Sequence, residues 1–152
     1  MLELTFTKQT RVHLPSQAWF RRVAETTLRQ LKLNHNRFSL ALVFTAPAGI
    51  KRLNQQYRGH NKVTNVLAFP LQKKKVYGAM KRGAIIDLGD IFICPAVAKK
   101  QTALLGEKLT EQMAWLLVHG LLHLLGYDHV GSATAEEKFL RLQVRLLQSL
   151  SL

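Results

Sequence analysis

The sequence is poor in two features, and each absence narrows what the protein can be. Its 152 residues include a single cysteine, Cys94, which excludes an internal disulfide, fits a reducing compartment and is expected to be a small buried side chain. No apolar run reaches the roughly 18 residues of a membrane-spanning helix, because the longest run, 113–125, is interrupted by His119 and His123. The first residues alternate like a strand and lack the charged start and apolar core of a signal peptide. We therefore expect a cytoplasmic protein without a membrane partner.

Acidic residues are also scarce, with 9 Asp and Glu against 22 Lys and Arg and a formal net charge of +13. Before Asp87 the acidic side chains are Glu3 and Glu25 alone. Such a surface attracts polyanions, of which nucleic acid is the commonest. Contact with a ribosome or with anionic lipid would favour the same composition, so the charge by itself does not name the partner.

Hydrophobic periodicity predicts one domain over residues 1–152 with four strands and about five helices. The strands are expected at residues 2–7, 38–44, 65–69 and 84–94. The helices are expected at about residues 16–31, 47–58, 95–104, 110–125 and 133–148, the last with an apolar stripe of Phe139, Leu142, Leu146 and Leu147. Strands joined through helices should run parallel, and one of the pair flanking residues 71–83 can be antiparallel. The predicted class is α+β with a small mixed four-stranded sheet.

The run His-Gly-Leu-Leu-His-Leu-Leu-Gly-Tyr-Asp-His at 119–129 carries the strongest chemical signal. His119 and His123 are four residues apart, so they share one face of a helix. Gly126 is expected to end that helix in a left-handed conformation and to let the chain bring His129 back. A lone histidine on an apolar helix is more often a core residue, but a third one just past a helix-ending glycine favours a metal site. Three imidazoles suit one zinc ion with an open position, and would also accept nickel or copper.

The same histidine spacing occurs in metzincin metalloproteases, in which a Glu after the first histidine acts as general base. This chain has Gly120 there, so the base that a peptidase needs is absent. A zinc ion with three histidine ligands can still lower the pKa of bound water toward 7, and the positive charge favours a phosphodiester target. Arg58, at the end of a helix, is the first candidate for holding a phosphate. Asp128 could orient a ligand imidazole or simply cap the turn.

Four separated motifs follow one another along the chain: Leu53-Asn54-Gln55-Gln56-Tyr57-Arg58, Thr64-Asn65-Val66-Leu67-Ala68-Phe69-Pro70, Leu88-Gly89-Asp90-Ile91 and the histidine run. Together they resemble the YbeY family of bacterial endoribonucleases. The resemblance implies a zinc-dependent, single-strand-specific ribonuclease that matures ribosomal RNA, notably the 3′ end of the small-subunit (16S) RNA, and takes part in ribosome quality control. It implies ribosomal RNA and the ribosome as partners, no small-molecule cofactor, metal binding by the three histidines, and a catalytic role for Arg58 and His119.

The chain departs from the family at two positions, with Asn65 where the family usually has Asp and Ala68 where it usually has Ser. The segment 71–83 is strongly basic and is interpreted as an added RNA or ribosome contact, through Lys73, Lys74, Lys75, Lys81 and Arg82. Two other functions stay open: a metal hydrolase acting on peptides or small molecules, and a non-catalytic ribosome assembly factor whose zinc is structural. A fourth protein ligand such as Cys94 would favour the latter, because structural zinc sites are closed.

Overall fold

The computed structural model describes residues 1–72, 83 and 85–152. The described elements alternate between strands and helices in the first half of the chain and are helical in the second half. Their bounds are β1 Leu2–Lys8, α1 Gln17–Gln30, β2 Arg37–Phe44, α2 Pro47–Arg58, β3 Val66–Pro70, β4 Ile85–Ile93, α3 Pro95–Leu105, α4 Leu109–Leu124 and α5 Ala133–Gln148. The predicted α+β class, with four strands and five helices among the described residues, is confirmed.

The four strands form one sheet in the order β1-β2-β4-β3. β1 pairs with β2 and β2 pairs with β4 in parallel, whereas β3 pairs with β4 antiparallel. The expected antiparallel strand is therefore β3, which forms an edge of the sheet. Pro70 is the last residue of this strand, a position that an edge strand tolerates because proline has no amide hydrogen to donate to a ladder.

Helices cover the two faces of the sheet unequally. On one face, α1 and α4 bury a large core that includes Phe20, Leu117 and Leu121 against strand residues such as Leu42 and Ile91. On the other face, α2 covers the β3–β4 end in a smaller cluster built on Ile50, Leu67 and Cys94. The helix α4, which carries two of the histidines, thus crosses beside the edge strand β3.

The close packing of α4 on the sheet depends on Gly120. A Cβ added there would lie 3.0–3.2 Å from three side-chain carbons of Ile91, which is tighter than most Cβ contacts in proteins. Ile91 is fully buried in the middle of β4. The glycine therefore sets the distance between α4 and the sheet. None of the described helices is long and apolar enough to cross a membrane.

Candidate metal centre

The end of α4 and the turn after it bring the three histidines together. His119 and His123 lie one helical turn apart near the end of α4. Gly126 follows with a φ of 93°, and its N–H donates to the carbonyl oxygen of His123 at 3.0 Å. This is the left-handed helix ending expected of a glycine at that position. The reversal returns the chain so that His129 faces the other two rings.

The three imidazoles converge through their ring nitrogens. The Nε2 atoms of His119 and His123 are 3.2 Å apart, and one nitrogen from each of the three rings lies within 4.8 Å of the others. Nitrogen ligands at the usual zinc distance are about 3.3–3.4 Å apart around a tetrahedral ion. The spacing of the first pair matches that value, so this donor set could hold one metal ion.

Burial favours the neutral imidazoles that a metal needs. The pKa of His123 falls from 6.5 to about 4, chiefly because of burial and also because of the neighbouring His119 and His129, while Asp128 opposes the shift. Burial also lowers the pKa of His119. Both rings therefore hold a free lone pair at neutral pH.

Two residues of α5 support the histidines, and sequence reasoning did not assign either of them to the site. The ring centroid of Phe139 lies 5.0–5.2 Å from the centroids of all three imidazoles. Gln143, one turn further on, is 1% exposed and lies 3.1 Å from Nδ1 of His119 through its Oε1. A signal was present in the sequence, because 139, 143 and 146 share one face of a helix and a glutamine is unusual on an otherwise apolar stripe.

The histidines line a cavity of about 480 Å³ that is open to solvent. Its second wall is β3, the edge strand, together with the end of α2. The residues around the cavity are Arg58, Val66, Leu67, Ala68, Pro70, His119, Gly120, His123, Gly126, Tyr127, Asp128, His129 and Val130. A substrate in this cavity would lie between the imidazoles on one side and Arg58 on the other.

Arg58 reaches the cavity from the last residue of α2. Its Nη2 donates to the carbonyl oxygen of Ala68 at 2.9 Å, and its guanidinium carbon lies 5.8 Å from the ring centroid of Phe69. One hydrogen bond uses one of the five guanidinium donors. The remaining donors belong to an exposed side chain at the cavity wall, where they can meet an anionic ligand.

The other residues singled out in the sequence, Asp128, Asn65 and Cys94, are not part of the cluster of three histidines. Asp128 accepts a hydrogen bond from the Val130 N–H at 2.9 Å, which is the turn-capping contact considered as an alternative. Asn65 donates to Gln101 on α3 at 3.2 Å and is not among the described residues around the cavity. Cys94 is fully buried, as expected, on the α2 side of the sheet and is also absent from that lining.

The five residues of the predicted basic contact, Lys73, Lys74, Lys75, Lys81 and Arg82, lie outside the described residues.

The fold and the site define an α+β protein with a three-histidine centre between a helix and an edge strand. Comparison with known proteins identifies the family to which a protein of this class belongs. The family model described as Endoribonuclease YbeY matches residues 4–151, so the chain belongs to the YbeY family. The family resemblance drawn from the motifs is therefore confirmed.

Individual relatives agree with the family. A protein of Rhizobium johnstonii named Endoribonuclease YbeY is 45% identical over 100 residues, which are 64% of this chain and 54% of the relative. One of Pseudomonas putida with the same name is 38% identical over 140 residues, covering 90% of this chain and 82% of the relative. The match to the Rhizobium protein thus spans about half of that relative's length.

A solved structure supports the fold. The solution structure of a Thermotoga maritima protein superimposes with a TM-score of 0.61 at 23% sequence identity, covering 96% of this chain and 87% of that one. At this identity the match concerns the fold alone.

Proposed function

We propose that the protein is a metal-dependent endoribonuclease that cleaves single-stranded RNA. The observation that carries the proposal is that three converging imidazoles and Arg58 line the same cavity. The family name, Endoribonuclease YbeY, and the net charge of +13 support RNA as the substrate.

The bound ion is proposed to be a single Zn²⁺, held by His119, His123 and His129. The donor set of three nitrogens suits zinc, although it would also accept nickel or copper. When bound, such an ion supplies a Lewis acid and a source of hydroxide at neutral pH. Four-coordinate zinc with three protein ligands keeps one position for a reactant, and Cys94 is neither in the described histidine cluster nor among the residues around the cavity.

The chain's own groups would act on the phosphodiester as follows. The guanidinium of Arg58 binds a non-bridging phosphate oxygen and stabilises the additional negative charge of the transition state. The imidazoles of His119 and His123 would hold the metal ion at the α4 wall, and the ring of Phe139 packs against both of them. Whether water or the RNA 2′-hydroxyl attacks is decided by the product, because only 2′-hydroxyl attack leaves a 2′,3′-cyclic phosphate.

Among the described residues, no strand pairs with the side of β3 that faces away from β4, and this side favours a single strand as the substrate. Ala68 points its carbonyl oxygen away from β4 toward Arg58, and in an antiparallel strand the N–H of the same residue points the same way. The N–H of Val66, two residues earlier, shares that direction. Backbone amides are common phosphate donors. An extended RNA strand lying along this edge could place successive phosphates on these amides, whereas a rigid duplex could not enter a cavity of about 480 Å³.

Within the cell, we propose that the substrate is ribosomal RNA, with maturation of the 16S 3′ end and ribosome quality control as the processes served. This places the protein in the cytoplasm with ribosomes, or ribosome-associated factors, as partners. The proposal also takes residues 1–152 as one domain and keeps the basic segment 71–83 as an added RNA contact. Complementation of a strain lacking its own family member, scored by mature 16S 3′ ends, would test the cellular role.

A peptidase is the main alternative, and the packing of Gly120 opposes it. The metzincin general base would occupy this position, where even a Cβ meets Ile91 at 3.0 Å. The biochemical test is cleavage of matched single-stranded RNA, double-stranded RNA and casein by purified protein, with and without chelator, beside elemental analysis. We expect single-stranded RNA to be cleaved and chelator to abolish the activity. Casein cleavage without RNA cleavage would overturn the proposal, and bound metal without either activity would favour an assembly factor.

A further inference from the structure

Gln143 bridges two groups on α4 from its buried position on α5. Its Nε2 donates to the carbonyl oxygen of Trp115 at 3.1 Å, and its Oε1 lies 3.1 Å from Nδ1 of His119. In an α-helix the Trp115 carbonyl is also the acceptor for the main-chain N–H of His119. One amide therefore contacts both the side chain of His119 and the turn of helix that carries it.

The two contacts determine which nitrogen of His119 carries a proton. A carbonyl oxygen only accepts, so the NH₂ group of Gln143 must face Trp115 and its oxygen must face His119. The Gln143 oxygen also only accepts, so Nδ1 of His119 must be the protonated nitrogen. Nε2 is then left with a lone pair, and it is this atom that lies 3.2 Å from Nε2 of His123.

We infer that Gln143 is a positioning residue for the metal centre: it fixes the Nδ1–H tautomer and the ring orientation of His119, so that Nε2 is presented to the ion. The inference rests on the metal site of the proposed function. Outer hydrogen-bond partners of this kind tune metal affinity by about 10- to 100-fold. In this chain the hydrogen-bond partner of His119 is the amide of Gln143 on α5. It is not Asp128, whose carboxylate instead caps the turn at Val130.

The test compares three variants at two positions of α5. Gln143→Leu removes the acceptor for His119. Gln143→Glu keeps an acceptor for His119, but its carboxylate cannot donate a hydrogen bond to the carbonyl of Trp115. It therefore breaks the link between α5 and the backbone of α4, as Gln143→Leu does. Leu146→Ala is the matched control. Leu146 is 2% exposed on the same face of α5, and its side chain has no group that could form a hydrogen bond with a histidine.

Two readouts are measured, neither of which is enzymatic activity. The first is the Zn²⁺ dissociation constant by competition with a chromophoric chelator. The second is the tautomer of His119 in metal-free protein by long-range ¹H–¹⁵N correlation spectra. We expect Gln143→Leu to weaken zinc binding about 10- to 100-fold and to shift His119 away from the Nδ1–H form, while Gln143→Glu and Leu146→Ala keep both close to wild type.

Each remaining outcome has a separate meaning. Equal zinc affinity and an equal His119 tautomer in wild type and Gln143→Leu would overturn the inference while leaving the metal site intact. Equal losses in Gln143→Leu and Gln143→Glu would also overturn it, since they would assign the residue a structural role. If wild-type protein binds no zinc, the proposed function fails first. Circular dichroism of each metal-free variant identifies any variant that fails to fold, and Gln143→Met then replaces Gln143→Leu.

Discussion

The contact between Gly120 and Ile91 permits a quantitative prediction about how α4 is held on the sheet. Replacing an interior helical glycine by alanine stabilises a helix by about 1 kcal/mol when there is room for the methyl group. In this protein the new Cβ would meet three carbons of Ile91 at 3.0, 3.1 and 3.2 Å. Overpacking of this kind costs about 1–3 kcal/mol. We therefore expect Gly120→Ala to lower the free energy of unfolding by about 1 kcal/mol net.

The sign should reverse once the obstructing side chain is shortened. All three carbons that crowd position 120 belong to Ile91, and alanine there removes them. Ile91→Ala alone should cost about 2–5 kcal/mol, because the side chain is fully buried. In that background Gly120→Ala should stabilise by about 1 kcal/mol, which gives an interaction energy of about 2 kcal/mol between the two positions.

Urea unfolding of the four metal-free proteins in this double-mutant cycle measures the interaction energy directly. Ile91→Val serves as a milder background if Ile91→Ala does not fold, and it should relieve only the Cδ1 contact. A stabilising effect of Gly120→Ala that is equal in both backgrounds would refute the reasoning. It would mean that α4 can move away from the sheet without cost, and that the glycine does not set the position of the histidines.

Three further predictions concern the site itself. Arg58→Ala should reduce cleavage of single-stranded RNA by about 10²–10³-fold with unchanged metal content, whereas Arg52→Ala, an exposed change on the same helix, should leave cleavage intact; equal activity of the two variants would remove Arg58 from the reaction. His129→Ala should lose bound metal by elemental analysis while keeping its helical content, because the residue lies in a turn outside α4; a full equivalent of retained metal would contradict the three-histidine site. Metal-free wild type should lose about 1 kcal/mol of stability between pH 7 and pH 5 after allowance for solvent screening. The pKa of His123 is lowered to about 4 in the folded chain, chiefly by burial, so the unfolded chain takes up the proton first as the pH falls below 6.5. His123→Leu should flatten this slope, and an unchanged slope would assign the pH dependence to other groups.

Local sequence signals were sufficient to predict the helices and strands and the convergence of the three histidines. The helix that carries His119 and His123, its ending at Gly126 and the return of His129 all follow from spacing within eleven residues of chain. The antiparallel strand was also foreseeable, since the pair flanking residues 71–83 is the one joined without a helix. Each of these features depends on residues that are close together in the chain, so it can be predicted from the sequence alone.

The sequence by itself therefore determined the α+β class, the three histidines and the basic character that suggests RNA. Only the tertiary structure decided what surrounds those histidines. It joined Gln143 to His119 across 24 positions of chain, and it brought Arg58 to the carbonyl of Ala68 on the strand β3. It also showed a packing role for Gly120: α4 lies so close to Ile91 at this position that a side chain would be crowded. The sequence had shown only that the carboxylate of a peptidase is missing there. Such relations depend on how helices and strands pack at long range, and no local pattern of residues specifies them.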